Sequence, residues 1–437
     1  MKVFFGWWIV LGSTIVRALS GGLNSYAMSA FFLPLVREFG ASRAALSGAV
    51  SLSRIEAGLI GPAEGYLADR LGPRKIMFAG VFLMGLGFIL MSKVSSLLWF
   101  YVVYVTMITL GSSIGISYPA QVAVANWFVK RRGIALGIAG SGVGIGAVFV
   151  IPLTWVISTY GWRGAAVAAG IIIWGVGFPI ALIMRHRPEQ YGMLPDGEPG
   201  PKMLQESDRP PSVVTHQAPA SSALDEESFT VVQALTTRAF WLIAIGFPLR
   251  QMVTGAVVVH QIPFLESVGY STTIAATILG SLGVVSVGGR FGFAWLADYV
   301  EKRYIAALCC FLLGSGMLVL VNVHTTWQLV LLLLVYAPGY GGLTTMMPLI
   351  KADYFGRKAF GMILGVSGLI QMVGTVVGPL FAGWVYDVTQ SYHLAFLSFA
   401  AASFLAMATF LAAKHPMRRE AETLPHAEGV SQPAHWA

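Results

Sequence analysis

From Thr272 to Asp298 the chain reads T-T-I-A-A-T-I-L-G-S-L-G-V-V-S-V-G-G-R-F-G-F-A-W-L-A-D. About 20 consecutive apolar residues cross the roughly 30 Å of a bilayer's hydrocarbon, so this stretch is long enough to span one. A single charge interrupts it, Arg290. An Arg near the middle of a membrane helix costs roughly 2.5–3.5 kcal/mol on insertion scales, and such residues face a bundle interior or a wet cavity. Guanidinium offers a planar fork of donors that matches a carboxylate bidentately, which makes Arg290 the candidate ligand for a carboxylate-bearing anion. The alternative is a structural Arg held by a buried partner or by helix carbonyls.

The rest of the chain has the same character. Of 437 residues, 56% are hydrophobic and 11% charged, with mean hydropathy +0.71. Soluble domains carry about 25% charged residues, so the deficit points to a polytopic membrane protein. The net charge of +8 fits Lys and Arg gathered in cytoplasmic loops, and no basic cluster interleaved with aromatics indicates a nucleic-acid partner. Cys309 and Cys310 are the only cysteines and are adjacent, which excludes a disulfide framework and a C-x-x-C metal site. The glycines at 137, 140, 142, 144 and 146 lack the strand and soluble helix that a nucleotide loop needs, and close helix packing accounts for them. No catalytic triad, metal-ligand set or phosphate loop stands out. The expectation is therefore a protein that is not an enzyme and carries no cofactor.

Twelve apolar segments follow one another, from Trp7–Leu33 to Leu394–Ala413. They divide into a half at residues 1–184 and a half at 239–413, with a linker at 185–238 and a tail at 414–437. The linker is rich in Pro, Ser, Glu and Asp, a composition that buries too little apolar surface to order itself. With both termini inside, cytoplasmic segments hold 20 of the 28 Lys and Arg residues. The outer side holds Arg37, Arg43, Lys93 and Arg163, while Arg17, Arg54, Arg250 and Arg290 lie within spans. That bias supports the orientation.

The halves echo one another. Leu67-Ala68-Asp69 recurs as Leu296-Ala297-Asp298, and Pro119 as Pro348, both at an offset of 229. Trp127-Phe128 with Lys130-Arg131 recurs as Tyr354-Phe355 with Arg357-Lys358 at 227, and Thr159 as Thr389 at 230. Four matches in order at a nearly constant offset indicate two parallel six-span repeats, with a substrate site at their interface.

Two motifs carry a family resemblance. Gly65-Tyr-Leu-Ala-Asp69-Arg70-Leu-Gly72-Pro-Arg74-Lys75, directly after the second span, resembles the loop signature of the major facilitator superfamily. The resemblance implies a cytoplasmic gate at Asp69, Arg70 and Arg74, with Asp298 in a degenerate second copy. A carboxylate at a helix N-terminus is favourable, which makes such a latch physically plausible. The stretch from Asn126 to Gly142, N-W-F-V-K-R-R-G-I-A-L-G-I-A-G-S-G, is similar to the corresponding motif of the monocarboxylate transporters and their oxalate/formate antiporter relatives. The opening Gly6-Trp-Trp-Ile-Val and the closing Gly378-Pro379-Leu-Phe-Ala-Gly383-Trp-Val-Tyr-Asp387 look like that branch too. The branch places an Arg in its eighth helix, where this chain has Arg290, and the resemblance implies that it binds the substrate carboxylate. Animal-type members put an Asp one turn earlier and a Lys late in helix one, where this chain has Ser286 and Ala30. Those are the positions to which proton coupling is usually assigned.

Coupling then needs another group, and His260, inside the seventh span, is the candidate because imidazole exchanges a proton near neutral pH. A satisfied interior His is the equal alternative, and the proton could also travel on the substrate carboxylate. Tyr118 and Tyr340, in corresponding spans of the two halves, suit a small polar ligand or else pack helices together. Asn24 and Gln371 are expected to line the cavity, since polar side chains in lipid point inward. Arg17, Arg54 and Arg250 read as structural or interfacial. The resulting expectation is an all-α, twelve-helix, monomeric transporter in a plasma membrane, such as a bacterial inner membrane. It would move lactate- or pyruvate-sized monocarboxylates with protons by alternating access. The second reading is a carboxylate exchanger, which for a dicarboxylate would want a second buried cation, and His260 is the only one the sequence suggests nearby.

Overall fold

The computed structural model describes residues 4–128, 131–197, 229–356 and 360–416; at 61–70, 117, 118, 132, 133, 360–362 and 364 it describes the backbone alone. These residues form helices and no strand. Nine helices among the described residues are long and apolar enough to cross a membrane. The first expected span is helical across Phe5–Ser20, a wide π turn at Gly21–Tyr26, and Ala27–Phe39; the second is Arg43–Leu71. Both fall outside those nine. The fifth and sixth expected spans lie in one 50-residue stretch, Ile134–Ile183. That stretch turns at Gly161, whose φ of 76° favours a residue without a Cβ.

Helix ends carry the expected chemistry. Ser42, Thr237 and Ser271 cap the helices that follow them, each side-chain oxygen accepting a backbone N–H from the first turn. Between the halves, glycine and alanine let backbones approach closely. A Cβ on Gly144 would lie 2.9 Å from the Gly283 carbonyl, and one on Gly383 would lie 2.8 Å from the Ala44 nitrogen. Side chains at these crossings would force the helices apart. Thr272–Leu296 thus packs on Arg132–Gly146, and Phe360–Thr389 on Arg43–Leu71.

The ends of the expected linker are built onto the bundle. Asn126 and Trp127 donate to the carbonyls of His186 and Arg185 at 3.1 and 3.2 Å, and the Arg185 guanidinium sits 3.9 Å from the Phe5 ring centre. Phe229 N donates to the Phe355 carbonyl at 3.0 Å, leading into the short helix Val231–Thr236. Residues 198–228 and the tail from 417 lie outside the described residues.

Candidate functional site

A cavity of about 350 Å³ lies between the halves. Phe5–Ser20 and Arg43–Leu71 contribute Arg17 and Arg54; Arg238–Ser267 and Thr272–Leu296 contribute Arg250 and Arg290. Four guanidinium-bearing residues line one space, and no Asp, Glu or His stands among the described residues around it. Arg290 is half-buried; its Nη1 donates to the Gly140 carbonyl at 2.9 Å, and its buried Nε has no hydrogen-bond partner. Arg250 is buried, donates to the Tyr340 carbonyl at 3.0 Å and to the amide oxygen of Gln251, and lies 5.5 Å from the Tyr340 ring centre. The hydroxyls of Tyr26 and Tyr340 meet at 3.2 Å across the halves. Tyr26 ends the π turn, a wide helical geometry often found at functional positions. A second cavity of about 750 Å³ shares Arg17, Gly140, Arg290 and Thr344 with the first. It extends past Gln121, Ile134 and Pro348 toward the end expected in the cytoplasm.

The structure brings together only part of the expected set. Arg290 and Tyr340 line the cavity; His260, Asn24 and Gln371 are not among its lining residues. Asn24 Oδ1 is buried without a hydrogen-bond partner, and Gln371 donates to the Ser367 carbonyl within its own helix at 3.2 Å. The side chains of Tyr118, Asp69 and Arg70 lie outside the described residues; Arg74 and Asp298 are exposed. Arg17, Arg54 and Arg250, read from the sequence as structural, are cavity residues. The available signal was their presence within apolar spans, the same signal that singled out Arg290.

His260 sits in a seal between the halves near Arg43. It is fully buried. Nε2 lies 3.0 Å from both the Pro379 carbonyl and the Ser47 hydroxyl, and Nδ1 lies 3.0 Å from the Tyr392 hydroxyl. A carbonyl only accepts, so Nε2 carries the proton and Nδ1 accepts from Tyr392, which in turn accepts from Arg43 Nη1 at 2.7 Å. Every ring nitrogen is satisfied with His260 neutral. Beside it, Asp387 accepts from the backbone nitrogens of Arg43 and Ala44 at 2.9 and 2.8 Å, capping the Arg43–Leu71 helix from the opposite half. The Arg43 guanidinium lies 3.4 Å from the Tyr386 ring centre.

A pseudo-symmetric helical bundle with a polar cavity at its centre is a transporter's architecture. The Major Facilitator Superfamily model matches residues 13–349 and 293–436. The chain belongs to that superfamily. This major-facilitator chain is 26% identical over 413 residues to monocarboxylate transporter 12-B of Danio rerio, covering 90% of the chain and 83% of that protein. It is 26% identical to monocarboxylate transporter 13 of Rattus norvegicus, covering 90% and 85%, and 22% identical to the uncharacterized MFS-type transporter YcxA of Bacillus subtilis, covering 89% and 90%. Its fold superposes with a TM-score of 0.71, at 17% identity, on a bacterial homolog of the human lysosomal transporter Spinster in an inward-facing, unoccupied conformation. That superposition covers 95% of this chain and 99% of that one. The chain is a multi-pass membrane transporter related to the monocarboxylate carriers. At the two positions where the sequence departs from the pattern to which proton coupling is assigned, Ala30 lines a cavity at the end expected outside, and Ser286 donates to the Gly283 carbonyl at 2.6 Å.

Proposed function

We propose that this transporter carries small carboxylates by alternating access, with Arg290 as the carboxylate ligand. The observation that carries the proposal is the setting of Arg290. It faces a cavity shared by both halves, with Nε unpartnered and Nη1 bonded to a carbonyl, a weaker partner than a carboxylate. Pairing with the substrate neutralises that charge and lowers the cost of rocking residues 1–184 past 239–413. Tyr340 and the apolar wall at Val50, Val258 and Val259 enclose the short carbon chain. The named relatives are monocarboxylate transporters, which is consistent with a single-carboxylate substrate, and our reading takes a lactate- or pyruvate-sized one carried with protons. The excess of Lys and Arg on one side supports cytoplasmic termini, and our reading places the chain in a plasma membrane such as a bacterial inner membrane, with Asp69, Arg70, Arg74 and Asp298 as the gate at the cytoplasmic face.

Exchange is the second reading, and it is favoured by the lack of a His, Asp or Glu among the described residues that line the cavity, because Arg does not titrate in the physiological range. The test is uptake of labelled L-lactate into proteoliposomes under an inward proton gradient with no internal anion. Accumulation abolished by a protonophore supports symport, and uptake only after preloading with a carboxylate supports exchange. Full carboxylate uptake by Arg290→Ala refutes the role given to Arg290.

A further inference from the structure

The glycines of the Arg132–Gly146 helix divide by what a side chain would meet. A Cβ on Gly142 or Gly146 would run into the Thr14 or Ala18 carbonyl, and one on Gly144 would lie 2.9 Å from the Gly283 carbonyl, so close helix packing explains these three. It does not explain Gly137 and Gly140, where a Cβ would meet nothing within 4 Å. Both stand on the wall of the cavity of about 750 Å³ that adjoins Arg290. Glycine is the poorest helix former after proline, so these two weaken the helix and leave open space where packing asks for none.

Much of the remaining wall is apolar. Ile134 and Leu136 come from the same helix, Phe291 and Ala294 from Thr272–Leu296, and Pro348 from Thr326–Phe355. Ile134 and Phe291 are exposed, which leaves apolar surface for a ligand to cover. Arg290, Gly140 and Thr344 line both this cavity and the smaller one of about 350 Å³. Arg290 therefore stands where the two spaces join, with its Nε unpartnered.

Resting on the role given to Arg290 above, we infer that the larger cavity is a tail subsite. It takes the apolar end of a monocarboxylate longer than lactate, such as hexanoate, while the carboxylate pairs with Arg290 at the junction. Its volume lies within the range of small-ligand sites, about 300–1,000 Å³, and is about twice that of the space beside it. Every straight-chain acid carries the same single charge, so discrimination among them follows buried apolar area and is independent of the charges around the cavity.

The experiment is equilibrium dialysis of the purified full chain against acetate, propionate, butyrate and hexanoate at fixed pH and ionic strength, with protein-free micelles as the blank. Each methylene that becomes buried tightens binding by about fourfold, so hexanoate is expected to bind at least about tenfold more tightly than propionate. Gly137 and Ala294 line the larger cavity and not the smaller. Gly137→Leu places an apolar side chain in the open space and improves the helix, so it is expected to bring the hexanoate-to-propionate ratio down toward one while propionate binds as it does to the parent. Ala294→Phe, from the other half, is expected to do the same. Affinity that is level or falls from propionate to hexanoate in the parent protein overturns the inference and leaves the role of Arg290 intact. A ratio unmoved by both substitutions, in variants that still bind propionate, also overturns it. Failure of all four acids to bind removes the carboxylate reading as well. The series on the parent protein decides the first outcome, so the inference stands exposed even where a variant does not fold.

Discussion

Replacing Asp387 with Ala should unseal the face of the transporter near Arg43. Asp387 accepts two N–H donors from the first turn of the Arg43–Leu71 helix, at 2.9 and 2.8 Å, and it does so from the other half of the molecule. Those N–H groups have no partner within their own helix, and the positive end of the helix dipole adds to the attraction. Hydrogen bonds to charged groups contribute about 1.5–3 kcal/mol each, and the dipole about 0.3–1. Asp387 is half-buried, and water replaces it on the N–H groups once the halves part, so we take about 2 kcal/mol for the whole contact. That shifts the closed-to-open equilibrium by roughly thirtyfold. The assay is labelling of Val50→Cys, in the wall of the central cavity, by a membrane-impermeant maleimide added to whole cells. Cys309 and Cys310 are 0% and 1% exposed and give a low background. Asp387→Ala is expected to accelerate labelling by roughly thirtyfold, and Asp387→Asn, which keeps one acceptor, by less. A change below about twofold, under 0.5 kcal/mol, refutes the argument that this carboxylate holds the seal.

Arg290→Ala should weaken carboxylate binding by at least about thirtyfold, since losing one partner of a close charge pair costs about 2–5 kcal/mol, and Arg290→Lys should recover part of it; titration of the two variants with one acid measures both. Protonating His260 would turn Nδ1 into a second donor toward a Tyr392 hydroxyl that already accepts from Arg43, so the seal should loosen as pH falls. Maleimide labelling of Val50→Cys against pH reads this. His260→Gln should flatten the profile, with Arg43, Asp387 and Tyr392 as the charged and titratable neighbours left in place. Lys351, counted with the cytoplasmic residues in the sequence, is 1% exposed within the Thr326–Phe355 helix; its Nζ lacks a hydrogen-bond partner and lies 5.3 Å from the Phe247 ring centre. Lys351→Met should therefore raise the melting temperature by a few degrees, reflecting about 1–4 kcal/mol from removing a buried unpaired charge. An unchanged or lower melting temperature would show that the ammonium is stabilised where it stands.

What the sequence disclosed follows from what one dimension can hold. Arg290 stood out because a charge in an apolar run needs no partner to be conspicuous, and membrane helices form from local hydropathy. Arg17, Arg54 and Arg250 carried the same signal. Their convergence depends on how four helices are rotated and crossed, and glycine contacts such as Gly144 with Gly283 set that crossing. His260 was visibly interior, but its partners Ser47, Pro379 and Tyr392 come from 213, 119 and 132 residues away. Asp387 was visible only as the close of a family motif, because the N–H groups it caps lie 344 and 343 residues upstream. The order at both ends of the linker was hidden for the opposite reason: the composition of 185–238 predicts disorder, and it is aromatic and carbonyl contacts to the bundle that hold Arg185 and Phe229.

The seal and the cavity share one helix, and this is where binding meets movement. Within Phe360–Thr389, Asp387 caps the Arg43–Leu71 helix, Gly383 admits its backbone, and the Val376 carbonyl accepts from Ser51 at 2.8 Å. The same helix lines the cavity with Thr375 and Pro379. Pro379 belongs to both, its carbonyl accepting the hydrogen bond of His260 Nε2–H while the residue walls the cavity. Proline has no N–H and frees the carbonyl four residues before it, so a helix is easiest to bend there. Under the proposed function, an anion bound in the cavity would bear on helices that flank Pro379, and any bend at that residue moves its carbonyl relative to the His260 ring. A ligand shifts a conformational equilibrium only by its difference in affinity for the two states. Here that difference would act on contacts the seal depends on, since the cavity wall and the latch are two stretches of one bendable rod.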